Sequence, residues 1–323
     1  DPLPWWPGPE DSAWRQGPHR LNGSASFDIA LPAEAPSGTV LQQLQRWRGT
    51  AQLQLQPSQL AGVPLQGSLA PQSNARATGQ LQAKLEAAGN QLRVDGALGS
   101  ATQGGDDRWN LDADLPALNR LQPLWRLGLA PGDDPRLAGT VKAQAQLNGR
   151  WPAMRSKGTL QADSLQVGTA SAKAASARWQ LDTQADGPID ASVELIQLAY
   201  GQPSAETVQL QLKGTLAAHT LELRADAKAL PPAWVDKVQA TPATIAAAAQ
   251  RTRAVLRLQG AAIRPLTQGA KGWRGQVKTL ELRSDVASAP PWVASSAFDL
   301  EMRWADGPFR VTLGPGQATL VGA

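Results

Sequence analysis

From residue 51 to residue 320 the chain returns again and again to an apolar residue followed by a polar one. The runs "AQLQLQ" (51–56), "GQLQAKLEA" (79–87), "VQLQLKG" (208–214) and "TLELRADA" (220–227) all alternate in this way. A period of two is the spacing of side chains on a β-strand, where neighbours point to opposite faces of the sheet. Such strands can build only a sheet with one greasy face and one wet face. That apolar face must either close on a second apolar surface or stay open to something apolar.

A second surface is hard to find. Of 323 residues, 5% are aromatic and 18% charged, and the apolar 42% is mostly Leu, Ala and Val. Alternating strands offer about half of their residues to a core. The sequence therefore predicts an all-β chain forming one extended, curved antiparallel sheet. About fifteen strands at a spacing of about 4.8 Å, each some seven residues long, would make a ribbon of roughly 70 by 23 Å that twists and curls lengthwise into an open groove. Its apolar wall is expected to comprise Leu53, Leu55, Leu81, Leu85, Leu92, Val94, Leu160, Val208, Leu210, Leu212, Leu221, Leu223, Leu280, Leu282 and Leu300, with Gln, Lys, Arg and Asp outside.

Segments of other character punctuate the strands. Residues 1–20 are rich in Pro, Gly and Trp and read as an entry segment; residues 21–323 read as one continuous elongated β segment. Helical spacing occurs at "SGTVLQQLQRW" (37–47), "LPALNRLQPLWRLG" (115–128) and "PPAWVDKVQATPATIAAAAQ" (231–250), which predicts short plugs or caps. In the second, Leu118, Leu121 and Trp125 share a stripe, while Pro123 argues for a break. Residues 77–99 read as a hairpin turning at Gly89-Asn90, and residues 137–167 as another with a longer polar turn. Gly49, Gly139, Gly158, Gly214 and Gly275, near strand ends, are expected to permit turns and bulges.

The chain has no Cys, which excludes disulfides, thiolate catalysis and Cys-based zinc sites. The net charge of +4 comes from scattered Lys and Arg with no recognition helix or stacking platform, so nucleic acid is not an expected partner. No run of about twenty apolar residues occurs, and both ends read as boundaries within a longer protein. His19 and His219 stand alone, with no second His and no His-Glu pattern nearby; His219 reads as a hairpin-end residue, and no catalytic or metal site is expected. Asp106-Asp107 and Asp133-Asp134 read as solvated loop residues, and Asp112 and Asp114 as the polar face of one strand. Among the twelve Trp, Trp109, Trp179 and Trp304 are candidates for the groove wall or rim, against ordinary packing on the helical segments.

Particular residues resemble a family. "GTLAAHTLELRADA" (214–227), following "VQLQLKG", looks like the Gly-Thr, His, alternating-Leu hairpin of the TamB family, the periplasmic components of translocation and assembly modules. "LNGRWPAMRSKGTLQADSL" (147–165) is similar to that family's Gly, Trp, turn, Gly-x-Leu-x-Ala pattern, although the family's usual Pro stands at Pro152 here and not at Met154. "WRG" recurs at 47–49 and 273–275 before Leu-alternating strands, and "PPWVASSAFDLEM" (290–302) resembles the segment that follows the later one.

The resemblance implies an AsmA-like β-taco in the periplasm of a Gram-negative cell, attached to the inner membrane through an anchor outside this segment. It implies a non-enzymatic conduit for phospholipids between inner and outer membranes, with phospholipid as transported ligand and no cofactor. It also implies a partner, the outer-membrane barrel protein TamA, met through regions outside this segment. The alternative is a scaffold that assists outer-membrane β-barrel assembly through exposed edge strands. A surface-adhesive solenoid fits less well, because solenoids show a tighter repeat.

Overall fold

A computed structural model describes residues 17–30, 48–74, 78–99, 105–127, 136–150, 153–201, 204–228, 251–263, 272–284, 291–304 and 309–320. Among these residues lie eighteen strands and one short helical segment. The expected all-β, antiparallel class is what the chain forms. The predicted helices at 37–47 and 231–250, and residues 1–16 of the entry segment, lie outside the described residues. The chain divides into two compact units, Asp1–Arg150 with Gly158–Gly168, and Trp151–Lys157 with Thr169–Ala323.

The first unit is a meander of β1 (Gly23–Ala30), β2 (Arg48–Leu60), β3 (Val63–Ser73), β4 (Gly79–Ala87), β5 (Asn90–Leu98), β6 (Arg108–Leu115) and β7 (Leu137–Arg150). Each pairs antiparallel with the next. The pairing slips between Leu55 and Ser58, a bulge that accommodates Pro57 inside β2. Two hairpins share one turn chemistry: Ala61-Gly62 and Ala88-Gly89 carry φ of 48° and 79°, and of 49° and 86°. Positive φ at both central positions defines the type I′ turn that matches strand twist, and Gly adopts it without penalty. The second turn is therefore centred one residue before the expected Gly89-Asn90.

Within the stretch expected to be helical, residues 118–126 fold into a helical segment, but a broken one. A 3₁₀ turn (Leu118–Leu121) leads into the five-residue helix α1 (Gln122–Arg126), with Pro123 in its first turn where no N–H partner is needed. Leu121 and Leu124 pack on Val63, Leu65 and Ala87, the buried cluster of this unit.

At the opposite end of these strands, Asp107 is 5% exposed. Arg150 grips it with two hydrogen bonds, Nη2 to Oδ1 at 2.7 Å and Nε to Oδ2 at 3.1 Å, and Gly99 N–H donates to Oδ1 at 2.9 Å. The expectation of a solvated Asp107 is thus corrected: its loop folds so that the carboxylate meets a guanidinium 43 residues away. The Asp107 carboxylate in turn raises the Arg150 pKa above its ordinary value.

The strand β8 (Ala153–Val167) contributes residues 153–157 to the second unit and the rest to the first. β7 ends at Arg150 and β8 begins at Ala153; the expected polar turn between them lies outside the described residues. The second unit continues with β9 (Ala170–Asp182), β10 (Pro188–Tyr200), β11 (Ser204–Thr215), β12 (His219–Ala227), β13 (Thr252–Ile263) and β14 (Gly272–Ser284), antiparallel neighbours throughout. It ends with β15 (Val293–Ser295), β16 (Phe298–Arg303), β17 (Arg310–Leu313) and β18 (Ala318–Leu320); β15 and β16 both pair with β14.

Candidate apolar groove

Register decides which side chains share a face, and in both units it lines the apolar residues up across the strands. In the first unit one row runs Ala25, Leu53, Leu69, Ala83, Val94, Leu111 and Ala145. The next runs Gly23, Leu55, Gly67, Leu85, Leu92, Ala113 and Ala143. The opposite face carries rows such as Gln54, Ser68, Lys84, Arg93, Asp112 and Gln144.

The apolar face of this unit is concave. Leu53, Leu55, Leu69, Leu85, Leu92 and Val94, with Ala83 and Gly67, line a depression of about 260 Å³. Leu53, Leu69, Leu85 and Leu92 keep 38–44% of their surface exposed there. Leu81 lies one row further on, opposite Gly96, and Leu160 is half-buried on β8.

The second unit is built the same way. Ala177, Val193, Leu210, Leu223, Leu256 and Leu280 form one row, and Trp179, Ala191, Leu212, Leu221, Leu258 and Val277 another. Val208 and Leu282 share a third with Leu195, Ala225 and Ala254. Leu300 sits opposite Gly275 and Leu313. All fifteen residues singled out from the sequence therefore lie on strands, and those of each unit whose pairing is given above share that unit's apolar face. Leu69, Leu111, Leu256 and Leu258 belong with them but were not singled out, although the alternation in "VLRLQG" (255–260) carries the signal for the last two.

The wet face of the second unit is laced by ion pairs within and across strands. Glu222 accepts from Arg224 Nε at 2.6 Å and from Arg257 Nη2 at 3.3 Å, and Glu301 accepts from Arg274 Nε at 2.7 Å and from Arg303. Arg224 first, then Arg257, holds the Glu222 carboxyl below the usual carboxylate range; Arg303 and Arg274 do the same for Glu301. In the first unit Gln144 donates to Asp112 at 3.0 Å, which places Asp112 on the polar face as expected.

Trp109 lies over Gly96, where a Cβ would overlap the indole, and Trp179 donates to Ser156 Oγ at 3.0 Å. Trp304 is 45% exposed. Both histidines are held structurally: His19 Nδ1 accepts from Ala61 N–H at 3.0 Å, and His219 joins Thr215 to Trp273. Among the described residues there is no cluster of three or more metal-ligating side chains, and no helix long and apolar enough to cross a membrane.

Among the described residues the buried apolar side chains gather only in small clusters, one around Val63, Leu65 and Ala87 and another around Trp292. Ordinary globular domains gather such residues in a close-packed interior. This chain is all-β and antiparallel, and leucines of its apolar face, Leu53, Leu69, Leu85 and Leu92 among them, stay partly exposed. A family model, TamB, N-terminal domain, matches residues 13–233, about two thirds of the chain. The chain belongs to the TamB family. No curated protein and no solved structure matches it.

Proposed function

We propose that the apolar face of this chain receives the acyl chains of phospholipids and conducts them across the periplasm between inner and outer membranes, without catalysis. The observation that carries this reading is the half-exposed leucines of two adjacent rows, Leu53 and Leu69 with Leu85 and Leu92, lining one depression. An acyl chain leaving water gains about 0.8 kcal/mol per CH₂ buried, so a continuous leucine wall removes a barrier of many kcal/mol. Methyl groups give no directional contacts, so a bound chain can slide. The headgroup stays in water above the rim, and membership of the TamB family supports an inner-membrane tether and TamA as partner, both outside this segment.

The test is complementation in cells by the full-length protein carrying Leu212→Asp or Leu223→Arg. Either change puts a charge in the middle of the apolar face and is expected to abolish transport while the protein still accumulates. Full complementation by both would remove the basis of the reading.

A second reading, a scaffold that guides β-barrel proteins by strand addition, draws on β1, which is exposed along nearly its whole length. Proline at Ser26 separates the two. A scaffold using this edge loses function, whereas a conduit tolerates the change.

A further inference from the structure

The apolar face of the first unit does not stop at the depression. Two residues along the same strands, Leu65 pairs with Ala87, and Val63 lies beyond Leu65 at the hairpin. These three are 9%, 7% and 3% exposed, against the 38–44% of their neighbours. The difference is the helical segment: Leu121 and Leu124 lie on them, together with Leu55 and Leu60. Leu55 belongs to both sets, lining the open depression and touching the covered cluster. The covered cluster is therefore the continuation of the groove, roofed by the chain's own leucines.

The roof is lightly built. Its 3₁₀ turn and five-residue helix carry no side-chain caps and are too short to hold helical structure alone. Beyond the two leucines and the buried Leu118 and Leu127 at its ends, polar latches fix it. Asn90, 2% exposed, donates from Nδ2 to the Ala87 and Ala117 carbonyls at 3.0 Å each and accepts the Ala117 N–H on Oδ1 at 3.0 Å. Gln122 Oε1 accepts the Leu137 N–H at 3.2 Å. Asn90 thus ties the β4–β5 hairpin to the start of the roof and satisfies the backbone of the residue on which the roof would pivot.

We propose that residues 117–127 are a latched lid over a second acyl-chain site, formed by Val63, Leu65 and Ala87 and continuous with the open depression through Leu55. Leu121 and Leu124 occupy that site in the closed state as surrogate aliphatic ligands, and an acyl chain displaces them when the latch opens. The lid thereby sets how much of the groove is available to a lipid. This inference rests on the acyl-chain reading of the groove.

Because the chain has no Cys, single cysteines report on it cleanly. Ala87→Cys sits under the lid and Leu53→Cys in the open depression. Each is labelled with an uncharged maleimide, with and without cis-parinaric acid. The Ala87→Cys thiol is expected to react slowly, to react at least tenfold faster when combined with Asn90→Ala or with Leu124→Ser, and to be protected by the fatty acid in those lid-released proteins. Leu124→Ser leaves the hairpin latch intact, so it decides the matter where Asn90→Ala fails to fold. Unchanged labelling in the released proteins, or no protection of Ala87→Cys where Leu53→Cys is protected, overturns the lid and leaves the groove standing. Protection of neither thiol overturns both.

Discussion

Trp273 Nε1 donates a hydrogen bond of 2.7 Å to His219 Nε2 across two intervening glycines. His219 Nδ1 lies 2.9 Å from the Thr215 carbonyl, which can only accept, so the proton sits on Nδ1 and Nε2 is free to receive the indole. The indole lies over Gly260 and Gly275, where any Cβ would overlap it. Trp, His and two Gly, contributed by β12, β13 and β14, form one clasp at the margin of the apolar face. Trp273→Phe leaves the His219 acceptor without its donor and is expected to cost about 1–2 kcal/mol. Gly260→Ala, which drives a methyl into the ring, is expected to cost about 1–3 kcal/mol. Urea unfolding measures both.

The Asp107 to Arg150 pair predicts a larger loss. Asp107→Asn leaves a guanidinium facing a neutral amide in a mostly buried site and is expected to destabilise by about 2–3 kcal/mol in the same assay. Arg150→Lys, which keeps the charge but cannot make the two-pronged contact, is expected to destabilise by less than Asp107→Asn. Equal stability of Asp107→Asn and wild type would show that the pair is only a surface contact.

Ala88 holds a left-handed conformation at φ 49° in a turn where Asn is favoured. A left-handed non-Gly residue costs about 1–2 kcal/mol, and Asn recovers part of this. Ala88→Asn is expected to stabilise by about 0.5–1 kcal/mol, read as a higher urea midpoint at unchanged slope.

The ion pairs on the wet face set an acid limit. Glu222 and Glu301 titrate lower in the folded chain than in the unfolded one. Their contribution is therefore present above the unfolded carboxyl pKa of about 4.3 and is lost as pH falls through the lower folded value. Thermal midpoints are expected to be flat from about pH 8 to 5 and to decline below about pH 4. The decline is expected to shrink in Arg224→Gln, because Arg224 is the main cause of the Glu222 shift, and in high salt, because these groups are exposed.

What the sequence disclosed followed from local pattern. Leu210, Leu212, Leu221 and Leu223 meet in two cross-strand pairs because a period of two fixes the face and a short hairpin fixes the register. What stayed hidden depended on distant partners. Asp107 looks solvated beside Gly104, Gly105 and Asp106, and only the fold brings Arg150 to it. Asn90 looks like a turn residue, yet its side chain is spent on Ala117, 27 positions away, and the turn moves to Ala88-Gly89. Gly275 reads as a turn or bulge residue, yet it lies inside β14 under Trp273 beside Gly260, a placement set by the β13–β14 register, which shifts between Arg257 and Leu258.

Native mass spectrometry of the protein purified gently from cells asks whether the open leucine wall holds lipid. The account predicts co-purifying phospholipid in the wild type and its loss in Leu85→Asp, a change at a side chain already 44% exposed and therefore tolerated by the fold. A lipid-free wild type, or lipid retained in full by Leu85→Asp, would contradict it.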